Sequence, residues 1–506
     1  MYINYLQSLG PARLALAVVF FTFLAKILYR AYLTPLRKVP GPWYARLTHL
    51  VLKYHVVTGR RLHYIHSLHL KYGPVVLIAP TDVEVSSLAG FRKIHNFTKP
   101  FLKSPWYQSF TFGSGGIFTM IDPKEHSNRR KLFSQAMSKS YLRTNWEVEV
   151  RKKVEMTVQK IRRDALQGEA DIFKWFTYMA TDVMGTLSFG EGFDTLETEK
   201  VRTNGQMNNT LKLSALQPTQ YTEDLMHVVK MGGVRSELPT AFAIGSFLKI
   251  PMFITPDGRM LEYGTIAVRN AKSQSSAKPT IFRKMLAESE KSDSSITDFE
   301  VREEAKNLIV AGSDTTGITI MYLLYNVLKN PYLQKQLETE VQTLPEEFTS
   351  ADVEELKLLN AVIEEALRLY GAAPGSLPRM VPKGGADIDG YYLPEDITVS
   401  TQAYTIHRDP TIFAEPESFQ PQRWLSEEAQ KEDFKAANHP FGAGTRTCIG
   451  VHLARMEMLL ACAVFFRNCQ GARIALSQTD EGMEMENHFL IMPAGHKCEI
   501  TMKDGH

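Results

Sequence analysis

The chain is poor in cysteine, with 4 in 506 residues: Cys448, Cys462, Cys469 and Cys498. A secreted disulfide scaffold carries many cysteines over a shorter chain, so that class is excluded. No C-x-x-C pair occurs, which argues against a zinc knuckle and for a cytosolic body with reduced thiols. An excess of charge of one sign is also missing. A net charge of +3 is too near balance for nucleic acid to be the main partner. No internal repeat and no low-complexity tract interrupts the chain, and its 22% charged and 44% apolar residues can fill a core. The 27 Phe, 20 Tyr and 20 Met suit a large apolar core or an apolar ligand cavity.

Charge is absent again from Leu14 to Ala25, and the run continues to Leu33 with Lys26 and Arg30 at its end. A bilayer span needs about 20 mostly apolar residues, and these two cations can snorkel to headgroups. An uncleaved membrane anchor over residues 1–38 is expected rather than a signal peptide, since no A-x-A site follows. Lys26, Arg30, Arg37 and Lys38 outnumber Arg13, which puts the body on the cytosolic side. The sequons at Asn96 and Asn208 are then unmodified. Val39-Pro-Gly-Pro42 is a rigid turn between anchor and body.

Helix signals dominate the remainder, residues 39–506, which read as one domain. Thr297 to Glu300 forms a capping box, and an apolar stripe runs on to Leu328 before Asn330-Pro331, a helix of about 45 Å at about 1.5 Å per residue. A second helix covers Leu356 to Tyr370 and stops at Gly371. A third begins near Cys448. Strand signals are short: Pro74–Ile78, Tyr391–Leu393 with Ile397–Val399, and Lys497–Met502. Gln217–Glu223 and Gln274–Asp293 are polar soft spots. The fold class is mainly α with small β-sheets.

The segment Pro440-Phe-Gly-Ala-Gly-Thr-Arg-Thr-Cys448-Ile-Gly450 carries the chemistry. A thiol ahead of a helix meets free N–H groups and the positive dipole end, which favour a thiolate. Gly442, Gly444 and Gly450 permit tight bends and the close approach of a flat ligand. Arg446 can pair with an anionic group on that ligand. The bland alternative is a reduced cysteine in a glycine-rich turn. Here the segment resembles the haem-binding signature of the cytochrome P-450 family, F-x-x-G-x-R-x-C-x-G. Chance agreement at five fixed positions is on the order of 10⁻⁷ per starting point. The resemblance implies a haem b cofactor, Cys448 as the iron's ligand, Phe441 beside its sulfur and Arg446 on a propionate. A thiolate ligand favours O–O cleavage.

Other motifs follow in family order. Ala311-Gly-Ser-Asp314-Thr315 lies mid-way along the long helix. A carboxylate beside a hydroxyl can relay protons, and the hydroxyl can bond back to the i−4 carbonyl; alone, this could be a polar patch. It resembles the family's acid–alcohol pair. Glu365 and Arg368 share a helix face at i, i+3, and with Arg423 they resemble a buried structural ion network. His126 stands where the family has Trp and Arg130 where it has a propionate-binding Arg; otherwise Arg129, Arg130 and Lys131 are a basic surface. Arg379 resembles a further propionate ligand. His407 reads as a satisfied structural histidine.

The implied activity is a monooxygenase that inserts one atom of O₂ into a lipophilic substrate. No flavin or nicotinamide module follows Met502. Electrons would come from an external NADPH-cytochrome P-450 reductase, with cytochrome b5 as a further donor, at the endoplasmic reticulum membrane; the basic helix of Arg130 and Lys131 is the expected docking face. Phe101–Phe112, Val310, Ala311, Thr315, Ala372–Leu377 and His488–Ile491 are expected to line the pocket. Mostly apolar, they favour a lipophilic substrate. The pattern resembles fungal membrane-bound members of the family that tailor terpenoids, polyketides or alkaloids in secondary metabolism, with a housekeeping sterol or fatty-acid hydroxylase as the alternative. An O₂-independent isomerase or dehydratase, or a non-catalytic haem protein, would not need Asp314 and Thr315.

Overall fold

A computed structural model describes residues 11–110, 115–190, 192–197, 218–254, 256–273, 280–294 and 296–503. Expectations on Phe112, Asn208, Gln217 and residues 274–279 lie outside these. The first helix, α1 (Pro11–Leu33), is free of charge on every side from Leu14 to Ala25 and leaves Leu16, Phe21 and Leu33 exposed. Among the described residues two helices are long and apolar enough to cross a bilayer. They are this one, with mean hydropathy 1.8 over Arg13–Leu33, and Asp298–Leu328, which is largely buried in the body. A helix apolar on every side belongs in a core or a membrane, and only the second of these two has a protein core around it.

The body is mainly helical, in the order α2 (Leu50–Val57), α3 (Arg61–Tyr72), α4 (Pro123–Ser134), α5 (Lys139–Gln167), α6 (Ile172–Phe189), α7 (Pro218–Glu237), α8 (Pro239–Phe247), α9 (Asp257–Ser273), α10 (Asp298–Leu328), α11 (Lys357–Tyr370) and α12 (Val451–Asn468). Helix α10 forms where expected. Thr297 Oγ1 accepts from the Glu300 N–H at 3.2 Å, and the Glu300 carboxylate accepts from the Thr297 N–H at 2.8 Å. The reciprocal pair satisfies donors that a helix start leaves open. The helix packs on α6, α9, α11 and α12 and forms the centre of the core. Asn330 then caps the following helix, with Pro331 at its first position.

The sheets are small. The largest has four strands: β1 (Val75–Ala79), β2 (Asp82–Val85), β3 (Arg379–Met380) and β4 (Thr398–Thr401), in the order β1-β2-β4-β3. Strand β1 is buried throughout, as its unbroken VVLIA run requires. Strand β3 puts Arg379 opposite Val399 and in an isolated bridge with Lys103. The hairpin β5 (Met485–Asn487) and β6 (Ile491–Pro493) lies beside the 372 loop, where the Ile491 N–H donates to Ala372.

Two details differ from the expectations. Tyr391–Leu393 pairs with Ala386–Ile388, not with Ile397–Val399. Asp389 and Gly390 both have positive φ, the geometry of a tight hairpin turn, and this captures the strand locally. The polar stretch after Gln217 is the first part of α7, begun by Pro218. The third helix, expected to begin near Cys448, starts at Val451, three residues after it.

Candidate active site

The loop before α12 is closed by its own backbone. The Cys448 N–H donates to the Phe441 carbonyl at 2.9 Å, while Gly442 and Gly444 take φ of 72° and 67°. Gly450 caps α12, and its N–H bonds to the Cys448 side chain. Arg455, one turn into the helix, stacks over the Phe441 ring at 5.6 Å. Cys448 keeps open surface although protein encloses it otherwise, so the sulfur faces an interior space. Enclosure raises its thiol pKa, and this outweighs the lowering by the Gly450 N–H and by Arg130. The thiolate expected from the helix start alone is therefore not favoured by the protein alone.

Cations converge on the same region. Arg446 donates to the Met120 and Ile121 carbonyls at 2.8 and 2.9 Å. This ties the Cys448 loop to the residues that open α4. Arg379 donates to Tyr107 Oη at 3.2 Å. His126 is buried; burial and then Arg446, Lys103 and Arg130 push its pKa down to about 3, so the imidazole is neutral. Burial and Arg379 bring Arg446 down to about 10. None of Arg130, Arg379 and Arg446 has a carboxylate partner among the described residues. Like charges held together without counter-ions are costly. One cysteine with an open sulfur and several cations lacking anions fit an iron porphyrin that carries two carboxylates.

On the alternative reading Arg129 would belong to a basic surface. It is buried and bonds Glu300 at 3.0 Å, joining α4 to the first turn of α10. Successive helical residues point about 100° apart, so Arg129 turns inward, Arg130 faces the Cys448 side, and Lys131 stays exposed.

In the middle of α10, Ala311 is exposed between buried turns, and the Thr315 hydroxyl donates to its carbonyl at 2.9 Å. Asp314 is fully enclosed, neither carboxylate oxygen has a hydrogen-bond partner, and burial pushes its pKa up to about 7. Thr315 thus borders the open face of the helix, and Asp314 lies behind it. The ion network forms as expected. Glu365 takes two bonds from Arg368, one from Arg423 at 3.1 Å, and one from Trp424 Nε1 at 2.9 Å. His407 is satisfied on both ring nitrogens, by the Arg368 carbonyl at 2.8 Å and the His439 N–H at 3.0 Å.

Sequence reasoning missed two polar residues here. Lys103 is buried, donates to the Phe118 carbonyl, and lies over the Tyr107 and Phe118 rings at 4.1 and 4.5 Å. A lone lysine in an aromatic stretch was the available signal. Glu457 of α12 is enclosed, bonds Thr316 of α10, and is pushed up to about 8 by burial. Its signal was a single carboxylate in the apolar run of α12.

A thiol-bearing loop at the start of one core helix, which packs on another whose middle is open, with cations lacking carboxylate partners nearby, fits a haem-thiolate protein. The cytochrome P-450 family model matches residues 39–500, and the chain belongs to that family. It is 40% identical over 484 residues to the cytochrome P-450 monooxygenase stcB of Emericella nidulans, covering 93% of this chain and 89% of that protein. Identity is 38% to cypX of Dothistroma septosporum, covering 97% and 96%, and 38% to aflV of Aspergillus parasiticus, covering 94% and 93%. The protein is a monooxygenase with a haem b cofactor, and it uses O₂, a redox partner and a small-molecule substrate.

Proposed function

We propose that the chain hydroxylates or otherwise oxygenates a lipophilic intermediate of fungal secondary metabolism, a terpenoid, polyketide or alkaloid. The observation that carries the reading is Cys448, its sulfur open on one side, with Arg130 acting on it and with Arg446 and Arg379 close to one another, none of the three in a salt bridge among the described residues. Cys448 would bind the iron. Arg130, Arg379 and Arg446 would take the propionates, with neutral His126 offering an N–H, and Phe441, Gly442 and Gly450 would shape the space beside the sulfur. Bound haem supplies oxygen activation with electrons delivered from outside. The residues of α10 do the rest. Ala311 leaves room on the open face of the helix. Thr315 holds its hydroxyl at that face through the Ala311 carbonyl. Asp314, poised near neutrality, can pass protons inward.

Residues 1–38 would be the anchor and 39–506 the oxygenase domain, on the cytosolic side of the endoplasmic reticulum. Phe247 and Leu248, 85% and 60% exposed at the end of α8, offer a second apolar surface to the same bilayer. Electrons would come from NADPH-cytochrome P-450 reductase, with cytochrome b5 as a second donor, docking near Lys131. The test is a reduced-CO difference spectrum: Cys448→Ala is expected to lose the thiolate-type band, and its survival would sink the assignment.

A further inference from the structure

In the middle turns of α10, Asn307, Val310, Ala311 and Thr315 keep partly open side chains. Positions four apart lie within about 40° of one another, so Asn307, Ala311 and Thr315 form one stripe. Asn307 stands about 6 Å along the axis from Ala311. A cluster of aromatic rings lies in neighbouring segments: Trp106, Tyr107, Phe110, Phe118 and Phe489. Phe489 lies 4.7 Å from Phe110 and 5.5 Å from Phe118 between ring centroids, and Phe118 lies 5.4 Å from Tyr107. The residue before Phe118 is tied directly to α10, since the Ile117 N–H donates to the Glu304 carboxylate at 3.0 Å. Phe118 and Phe489 are only half-buried, with ring surface to offer.

Asn307 stands against the same segment, its Nδ2 only 2.4 Å from where a Cβ on Gly116 would lie, two residues before Phe118. Its Nδ2 is enclosed next to Glu304 and lowers that carboxyl's pKa, yet makes no hydrogen bond of good geometry. Gly116 covers Glu304 from the other side, so the carboxylate orients the amide and is closed to a ligand. With Nδ2 turned to the carboxylate, Oδ1 is left without a protein partner and is not enclosed. An amide oxygen accepts hydrogen bonds and donates none.

We infer that the pocket selects a planar aromatic substrate bearing a free hydroxyl, its ring against Phe118 and Phe489 and its hydroxyl donating to Asn307 Oδ1. This rests on the reading of α10 as the substrate-facing wall and narrows the proposed substrates to phenolic aromatics. Rings favour ring partners through edge and face contacts. A site built to accept a hydroxyl hydrogen discriminates against an ether of the same shape.

The test titrates the purified holoprotein with 1-hydroxypyrene, 1-methoxypyrene, pyrene and dodecanoic acid, following probe fluorescence and the haem spin-state shift. 1-Hydroxypyrene is expected to bind about tenfold more tightly than 1-methoxypyrene, and dodecanoic acid most weakly. Asn307→Leu should abolish the hydroxyl preference while pyrene affinity holds. Phe118→Leu should weaken all three pyrenes together and spare dodecanoic acid. Equal binding of the hydroxy and methoxy probes, a preference that survives Asn307→Leu, or tightest binding of dodecanoic acid would each overturn the inference. A normal reduced-CO band alongside any of these leaves the oxygenase reading intact, whereas loss of that band in the unmutated protein refutes the oxygenase reading instead.

Discussion

Arg368 holds Glu365 through two parallel hydrogen bonds, Nε to Oε2 at 2.9 Å and Nη2 to Oε1 at 2.8 Å, with both side chains closed to solvent. The same guanidinium bonds the His407 and Pro416 carbonyls at 2.7 and 2.6 Å. One arginine thus joins α11 to the segment that leads into the Cys448 loop. The attraction of its neighbours holds the Glu365 carboxyl below its ordinary range despite burial. Arg368→Ala would leave that carboxylate buried and short of partners, at a cost of about 3–5 kcal/mol. The expected outcome is little or no haem-loaded protein and a lower unfolding midpoint. Arg368→Lys should rescue it poorly, because an ammonium cannot reproduce the two parallel bonds. Wild-type haem content and midpoint in Arg368→Ala would show the network to be dispensable.

Arg130 allows a cleaner test of the cationic ring. Its side chain is half-buried near Cys448 and has no protein hydrogen bond among the described residues. Arg130→Gln therefore removes no hydrogen bond or ion pair within the described residues. A charge-assisted bond to a propionate is worth about 1.5–3 kcal/mol, so haem transfer to apomyoglobin should speed up by about 10- to 100-fold. The unfolding midpoint of the haem-free protein should not move. An unchanged rate of haem loss would remove Arg130 from the propionate site.

Much of this architecture was legible in the sequence because local rules and global fold agree. Thr297 and Glu300 mark the start of α10, Gly371 the end of α11, and the spacing around Cys448 its loop. Glu365 and Arg368 fall on one face by helical periodicity alone. What escaped depends on distant partners. Arg129 and Arg130 look alike as neighbours in a basic run, yet one meets Glu300 from a segment far along the chain and the other faces the Cys448 loop. Lys103 sits beside Arg379 only because β3 returns next to residue 103. The two- and three-residue strands carry too little pattern to announce themselves, and their pairing is set by turns such as Asp389-Gly390.

Asp314 makes a pH-dependent prediction. Its folded pKa of about 7 lies above the ordinary carboxyl value of about 3.9. Between these values the folded state keeps a proton that the unfolded chain releases. The associated stability is therefore present below about pH 4 and lost as pH rises through 7. Asp314→Asn has no charge to bury, so its advantage over wild type should grow from pH 5 to pH 8, by about 2.5 kcal/mol. Other raised carboxyls such as Glu457 titrate in both proteins and largely cancel in the difference. Unfolding midpoints of the two holoproteins across that range check this, and a constant difference would mean the carboxyl is not shifted. Monooxygenase turnover should fall on the order of 10²-fold in the same variant.

Two glycines six and four residues before Cys448 separate backbone strain from crowding. Gly442 and Gly444 both hold positive φ, so alanine at either pays for a left-handed backbone, about 1–2 kcal/mol. They differ in surroundings. A Cβ on Gly442 meets nothing within 4 Å, whereas one on Gly444 would lie 2.3 Å from the His95 carbonyl oxygen. That carbonyl is backbone, and His95 is fixed in turn by its ring bond to Thr401 at 2.8 Å, so it cannot yield as a side chain would. Gly442→Ala should lower the unfolding midpoint slightly and retain the thiolate-type CO band. Gly444→Ala should displace the whole Cys448 loop, lose several further kcal/mol, and replace that band with the form seen when the thiolate is lost. Equal behaviour of the two variants would show that the His95 contact does not set the position of the loop.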